Sequence, residues 1–304
     1  MVELDTLLKQ AGDLQTLPEI YIRVTELLED ENSTAYQIGN TVQTDPVLTA
    51  KVLRLINSAY YGLPNPVSSI AQSVTLLGRQ QLQQVLMGSV LVGVLKDFEI
   101  SEFPLRDFWQ HSFKTAIISR HLGMQNVHIL DHEALFTAGL LHDMGWLIIA
   151  KVVPSAFTNI TQLAVARQVD TLVIEAEKLG VTHVDVGVAL MQQWAIPSTI
   201  TQCVKNHHDS EYEGPFSVET SIIALANKLS HHVLTADDHE VEVMLNQIPN
   251  WQKTKCSAEQ IMIAIRLADE QWYEVMDSLG MSDLEIIDDG DEEFEFNTHQ
   301  GRFS

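Results

Sequence analysis

The chain has 304 residues, of which 45% are hydrophobic and 19% charged, and this composition excludes a disordered protein. Its 18 Lys and Arg residues are outnumbered by 41 Asp and Glu residues, which gives a formal net charge of −23. A surface this negative repels phosphate backbones, so we expect neither nucleic-acid binding nor attachment to anionic membranes.

The cysteine content and the apolar runs of the sequence bear on the cellular compartment of the protein. Cys203 and Cys256 form neither a disulfide framework nor a CxxC zinc motif. The N-terminal segment is acidic and interrupted by polar residues, unlike a secretion signal. The longest uncharged apolar run, residues 85–95, is too short to cross a bilayer, and we expect it to pack between two lobes. The sequence therefore predicts a cytoplasmic protein without membrane insertion.

Helix-start signals recur along the first half of the chain. Pro18 suits a first helical turn, and Asp45 followed by Pro46 predicts an N-cap with proline at the first helical position. Asn57 and Ser58 are expected to end that helix and to bond backbone groups. Ser69 and Gln72 form a capping-box pattern before a helix that Gly78 ends.

The second half continues the helical period. His111 and His142 each fall on an apolar helical face, the latter in one helix that runs on to Ile149. Thr182 and Ser198 are predicted N-caps, and Ser257 opens a capping box before a last helix that Gly280 ends. We therefore predict an all-α fold.

The last segment, residues 281–304, contains eight acidic residues and one arginine. Like-charge runs of this kind are typical of disorder, so we predict a solubilising tail. Its phenylalanines leave open a second interpretation, in which the tail docks onto a basic partner.

Histidines suggest metal chemistry. Five of the twelve histidines stand in contexts typical of metal ligands: His111, His142, His183, His207 and His208. Asp143 directly follows His142. A lone inward histidine is usually a hydrogen-bonded core residue. Five of them with a carboxylate are harder to explain as core, because each needs its own polar partner.

The segment Ala138-Gly-Leu-Leu-His-Asp-Met-Gly145 resembles the signature of the HD-type metal phosphohydrolases. His111, His142 and Asp143 match three metal ligands of that superfamily, and the other histidines match those of its HD-GYP branch. Two departures stand out. Asn227 occupies the position of a later Asp ligand, and Trp146 replaces a Lys with no Gly-Tyr-Pro element after it.

The N-terminal half resembles the HDOD (HD-related output domain) family. The matching pieces include Asp45-Pro46-Val-Leu48, Asn57-Ser58-Ala-Tyr-Tyr-Gly62 and Leu77-Gly78. This resemblance implies an all-helical, HD-like fold in two packed lobes. The implied domains are an HDOD domain over 1–230, with lobes at about 1–100 and 105–230, and a helical extension over 231–280 packed on the second lobe. The acidic tail follows at 281–304.

The resemblance implies a bacterial signal-transduction protein that acts through protein contacts or ligand sensing. Its expected partners are signalling proteins, such as response-regulator or cyclic-dinucleotide pathway components. The two departures favour a protein without catalysis. The retained histidines keep a metal-dependent phosphohydrolase open as the alternative.

A remnant metal site follows from the same residues. No cofactor is required, but one Zn²⁺, Fe²⁺ or Mn²⁺ fits His111, His142 and Asp143, with the Asn227 carbonyl as a weak ligand. Two divalent ions would set four positive charges against one carboxylate. We expect His183, His207, His208 and Trp146 to form the wall of this pocket.

Overall fold

A computed structural model describes residues 3–12, 17–96, 100, 103–129, 131–231 and 243–281. These residues are predominantly α-helical, and within them no strand occurs, which confirms the all-α prediction. The predicted tail lies outside the described residues, apart from Met281. The predicted lobe division near 96–104 falls between two long helices, and only part of it is described.

Six helices form the N-terminal part. They are α1 (Leu4–Gln10), α2 (Glu19–Glu29), α3 (Ala35–Val42), α4 (Pro46–Ile56), α5 (Ile70–Leu77) and α6 (Arg79–Leu95). Asp45 caps α4 by accepting from the backbone N–H groups of Val47 and Leu48, and Pro46 is its first residue, as predicted. Gly78 ends α5 with φ of 83°, a backbone conformation that glycine adopts without steric cost.

The segment after α4 is held by side chains, as expected for Asn57 and Ser58. The Asn57 amide donates to the Val67 carbonyl at 2.8 Å and accepts from the Val67 N–H at 2.7 Å. The Ser58 hydroxyl donates to the Leu55 carbonyl. These bonds close a loop that presents Tyr60 and Tyr61 to the rest of the protein.

The second part contains the remaining elements. They are α7 (Leu105–Met124), α8 (His132–Leu141), α9 (Gly145–Val152), α10 (Ala156–Arg167), α11 (Thr171–Lys178), α12 (His183–Gln193), α13 (Ser198–Asn206), α14 (Ser217–Leu229), the 3-10 helix η1 (Trp251–Thr254) and α15 (Ala258–Ser278). Helix α7 packs along α8, α14 and α15. The apolar run 85–95 lies in α6, which is buried between α8 and the N-terminal helices.

Three local predictions are wrong. His142 does not continue a helix to Ile149; α8 ends at Leu141, and α9 begins only at Gly145. Ser198 is the first residue of α13 rather than its cap, because Pro197 takes the N-cap position. Likewise, Pro18 precedes α2 as its N-cap and is not in the first turn.

The other caps form as predicted, with one difference. Thr182 and Ser257 each make a complete capping box, with Asp185 and Gln260 respectively. Ser69 caps α5, but the Gln72 side chain accepts from the Ser68 N–H rather than from Ser69. The bond to Gln72 is therefore displaced by one residue along the chain, from the backbone N–H of Ser69 to that of Ser68.

Two glycines set the distance between the helices. A Cβ on Gly139 of α8 would lie 2.8 Å from the Ala116 Cα of α7, and a Cβ on Gly145 would collide with the His183 carbonyl at the start of α12. Any side chain at either position would force these helices apart. The chain before and after His142 and Asp143 is therefore pressed against α7 and α12.

A buried ion pair in the second part of the fold contacts two tyrosines of the N-terminal part. Arg120 Nε in α7 donates to Glu133 Oε1 in α8 at 2.6 Å, and Tyr61 donates its hydroxyl to Glu133 Oε2 at 2.8 Å. The Arg120 guanidinium also lies over the rings of Tyr60 and Tyr61, 4.5 and 4.7 Å from their centroids. The tyrosine pair therefore packs between the two parts.

One segment, His132–Val152, is long and apolar enough to cross a membrane by length and composition alone. Of its most apolar window, 89% is buried inside the protein. Such burial is typical of a core element, and the segment is the one that contains His142 and Asp143.

Replacing Tyr61 with Phe should lower the free energy of unfolding by about 1–3 kcal/mol, because a buried carboxylate loses one of its two donors. Chemical denaturation measures the change. Tyr273→Phe is the matched control, since Tyr273 is 55% exposed. Equal destabilisation by the two variants would contradict the role assigned to the Tyr61 hydroxyl.

Candidate metal centre

Five elements deliver six side chains to one buried point. His111 comes from the middle of α7, and His142 and Asp143 lie in the break between α8 and α9. His183 is the first residue of α12, and His207 and His208 follow the C-terminus of α13. Asp143, His142 and His183 are each 0% exposed, and His111 and His207 are 3% exposed.

Asp143 is at the centre of the group. Four Nε2 atoms approach its carboxylate: His183 at 3.2 Å, His142 at 3.3 Å, and His111 and His207 at 3.6 Å. His208 is attached through His183, since their Nε2 atoms are 3.1 Å apart. The potential ligand atoms form two sets, each within 4.8 Å, that share Asp143: one with His111 and His142, the other with His183, His207 and His208.

The Nδ1 atom of each inner histidine has its own acceptor. His142 Nδ1 lies 2.7 Å from the Gly139 carbonyl, and His207 Nδ1 lies 2.7 Å from the Val204 carbonyl. A carbonyl only accepts, so in both rings Nδ1 carries the proton. The Nε2 lone pairs are then left to face Asp143 unless the ring is charged.

The same holds for the other two rings. His183 Nδ1 lies 2.9 Å from both oxygens of the buried Glu175 carboxylate. His111 Nδ1 lies 2.7 Å from Ser230 Oγ, whose own proton is donated to the Asn227 carbonyl at 2.8 Å. Ser230 therefore accepts from His111. Partners of this kind behind a histidine fix its tautomer and orient it towards a metal.

The centre consequently collects acceptors without enough donors. Neither oxygen of Asp143, nor His207 Nε2, nor Asn227 Oδ1, makes a well-aligned hydrogen bond within the described residues. His111 Nε2 and His142 Nε2 are only 3.0 Å apart, which is repulsive unless a proton or a cation lies between them. Buried unpaired acceptors cost free energy, and a cation bound to Asp143 and the imidazoles of one ligand set satisfies several of them together. The residues present thus fit a metal ion, and an imidazole-rich set favours Zn²⁺ or Fe²⁺ over Mn²⁺.

Burial and neighbouring charges shift the pKa values of Asp143, His183 and His207. Burial raises the pKa of Asp143, but neighbouring His142 and contacts from the surrounding imidazoles outweigh it and hold the pKa well below its usual range. Burial opposes charge on His183 as well, yet Glu175 and Asp143 raise its pKa to about 10, so without an ion this ring is protonated, and a cation that binds at its Nε2 displaces the proton. Burial lowers the pKa of His207 to about 4, which keeps that ring neutral and able to bind a cation.

Of the residues predicted for the site, His111, His142 and Asp143 are brought together. Asn227 is 2% exposed; its backbone carbonyl is linked to His111 through Ser230, and the residue lines the adjoining cavity together with His207 and His208. His183 and His207 do not merely form a wall, as the sequence suggested; their Nε2 atoms are as close to Asp143 as those of His111 and His142. Trp146 stacks on His183, with ring centroids 5.3 Å apart.

Two supporting residues were missed. The sequence interpretation assigned no role to Glu175 or to Ser230. A glutamate on the buried face of an amphipathic helix, as in α11, is the signal that could have identified Glu175. Ser230 carries no such signal, because a serine at a helix C-terminus is common.

A cavity of about 250 Å³ adjoins the centre. His207, His208 and Asn227 form its inner side, and Asp170, Asp209 and Lys228 also line it. Burial lowers the pKa of Lys228, an effect that Asp170 opposes. Lys205 is exposed on α13 and does not line this cavity.

An all-helical fold with a His-Asp centre defines the HD-like class of proteins, and comparison with known proteins is more specific. The family model of the HDOD domain matches residues 14–210, so the chain belongs to the HDOD family. A protein of Treponema pallidum (strain Nichols) without an assigned function is 22% identical over 197 residues, which cover 65% of this chain. That match spans only 38% of the relative's own length.

Two crystal structures share the fold. A candidate phosphohydrolase from Shewanella amazonensis SB2B is 28% identical, with a TM-score of 0.73, and the match covers 90% of this chain and 97% of that one. An HDOD domain protein of unknown function from Geobacter sulfurreducens is 23% identical, with a TM-score of 0.65 and coverage of 91% and 98%. These similarities confirm the HD-like, all-helical fold.

Replacing Asn227 with Asp should increase the affinity for divalent metal at least about tenfold, or about 1.4 kcal/mol, because it adds a negative charge and a harder ligand. The same variant should be less stable without metal, since two carboxylates then share the pocket. Titration calorimetry and thermal melting measure both effects, with Asn32→Asp on an exposed loop as the control. Unchanged affinity would mean that Asn227 does not face the ion.

Proposed function

We propose that this chain is a cytoplasmic bacterial regulatory protein whose HD-like centre binds one divalent transition metal and which acts through contacts with signalling proteins, without catalysis. The observation that carries the proposal is the set of inward-facing imidazole nitrogens around the single buried carboxylate of Asp143. The family supports the signalling context, including response-regulator or cyclic-dinucleotide pathway components as partners.

Charge balance supports a single ion. Two carboxylates belong to the centre, Asp143 among the ligands and Glu175 behind His183, and both are 0% exposed. One divalent cation neutralises this pair, whereas two would leave a buried excess of two positive charges. Asp143 would hold the ion with the ligands of either set, His111 and His142 or His183, His207 and His208, and the ion would supply Lewis acidity and a fixed positive charge.

The surroundings of the cavity support regulation over phosphoester hydrolysis. Phosphoryl transfer needs several cationic groups around the developing negative charge. The described residues that line the cavity include one Lys or Arg, Lys228, and two carboxylates, those of Asp170 and Asp209. At the position after the His-Asp motif, Trp146 packs against His183 and Phe157 and offers no charge.

The alternative, a metal-dependent phosphohydrolase with a reduced site, keeps one specific observation in its favour. The cavity adjoins His207 and His208, so a small phosphoester could approach the ion from that side. The two functions differ in whether a metal-loaded protein turns over substrate.

Elemental analysis of the purified chain should find about one transition-metal ion per chain. Asp143→Asn should weaken metal binding at least about tenfold, since the only anionic ligand becomes neutral. The exposed Asp5→Asn is the matched control, with the same substitution outside the centre. Retention of full affinity in Asp143→Asn would contradict the metal centre.

A phosphodiesterase screen with bis(p-nitrophenyl) phosphate then separates the two functions. We expect the metal-loaded chain to show no more hydrolysis than Asp143→Asn. Hydrolysis that depends on both the metal and Asp143 would establish the phosphohydrolase instead.

A further inference from the structure

We propose that residues 248–254, here called the strap, gate the exchange of the metal ion between the buried centre and solvent. This inference rests on the proposed function, because it concerns the regulation of the same site. The strap belongs to the predicted C-terminal extension and includes η1.

The strap forms part of the wall of the cavity that adjoins the centre. Its residues Ile248, Pro249, Asn250 and Trp251 line that cavity together with His207, His208 and Asn227. Asp170 and Asp209 line it as well, and their carboxylates attract a divalent cation towards the histidines. Because its carboxylates attract cations and it reaches the candidate ligands His207 and His208, this cavity is the path by which the metal ion would exchange with solvent.

Exposed polar contacts hold the strap closed against the loop that follows His208. Lys253 Nζ lies 2.9 Å from Glu213 Oε1 and donates to the Ser210 carbonyl at 3.1 Å. The Asn250 amide donates to Glu211 Oε1 at 2.6 Å and to the same Ser210 carbonyl at 3.1 Å. The side chains of Glu211 and Glu213 are each 79% exposed, so water and salt compete for these contacts.

The two ends of the strap are held differently. At its C-terminal end, the buried Asn126 amide donates to the Thr254 carbonyl at 2.8 Å. Asn250 and Lys255 both have φ of 58°, the left-handed region that non-glycine residues rarely adopt. Strained positions persist only when surrounding contacts hold them. Ile248 is buried and Trp251 packs against the core, so loss of the exposed contacts weakens the closed position of residues 248–251 without abolishing it, while Thr254 stays in place.

Opening of the strap exposes the cavity without moving the ligands. None of its residues belongs to the ligand sets around Asp143. A gate of this kind changes the rates of metal entry and release by the same factor. The equilibrium affinity stays constant, which separates a gate from a ligand.

The test measures zinc release from the Zn²⁺-loaded full chain to the chromophoric chelator 4-(2-pyridylazo)resorcinol. Lys253→Ala should release zinc about five- to tenfold faster with an unchanged Kd, because an ion pair and a hydrogen bond are lost. Asn250→Asp, which retains tolerance for the left-handed backbone but repels Glu211, should act in the same direction. Lys178→Ala is the matched control, since Lys178 pairs with Glu177 at 3.0 Å on the surface and does not line this cavity.

Salt provides a second readout. An increase from about 0.05 M to about 0.5 M NaCl should accelerate release from the native chain and have little effect on Lys253→Ala. If both strap variants release zinc at the rate of Lys178→Ala, or if their Kd changes together with the rate, the gate is wrong while the metal centre stands. If the native chain takes up no zinc, the proposed function fails and the gate fails with it.

Discussion

The buried carboxylate of Asp143 is the constraint on which the second half of the fold depends. Removing an ionised carboxylate from water costs several kcal/mol unless positive charge or good donors replace the water. Around Asp143 the replacement consists of four imidazoles from separate elements, each anchored at Nδ1 by a carbonyl, a hydroxyl or the Glu175 carboxylate. The arrangement is rigid and electron-rich, which is why it suits a cation.

Close helix packing makes this arrangement possible. His142 and Asp143 can point to the same place only because the chain leaves the helix between α8 and α9. Gly139 and Gly145 lie on either side of that break and let α7 and α12 approach to backbone contact. The glycines therefore place His111 and His183 on opposite sides of the carboxylate.

Helices α7 and α8 also connect the candidate metal centre to the N-terminal part of the fold. Helix α7 contains both His111 and Arg120, and α8 contains Glu133 and ends beside His142. The ion pair between Arg120 and Glu133 reaches Tyr61 on the other side of the fold. The candidate metal centre and the ion pair between Arg120 and Glu133 therefore both lie on the packed helices α7 and α8. These two helices form a continuous packed connection from the candidate metal centre to the N-terminal helices.

Local chemistry in the sequence determined the helical class, the caps at Asp45, Thr182 and Ser257, and the end at Gly78, because each depends on residues within one helical turn. The pairing of His111 with His142 and Asp143 came from family resemblance, since spacing alone does not say which helices meet. Only the tertiary structure decided that α8 stops before His142, that His183 and His207 face the same carboxylate, and that Glu175 and Ser230 orient the rings. These facts depend on contacts between residues far apart in the chain, where packing of whole helices outweighs local preference.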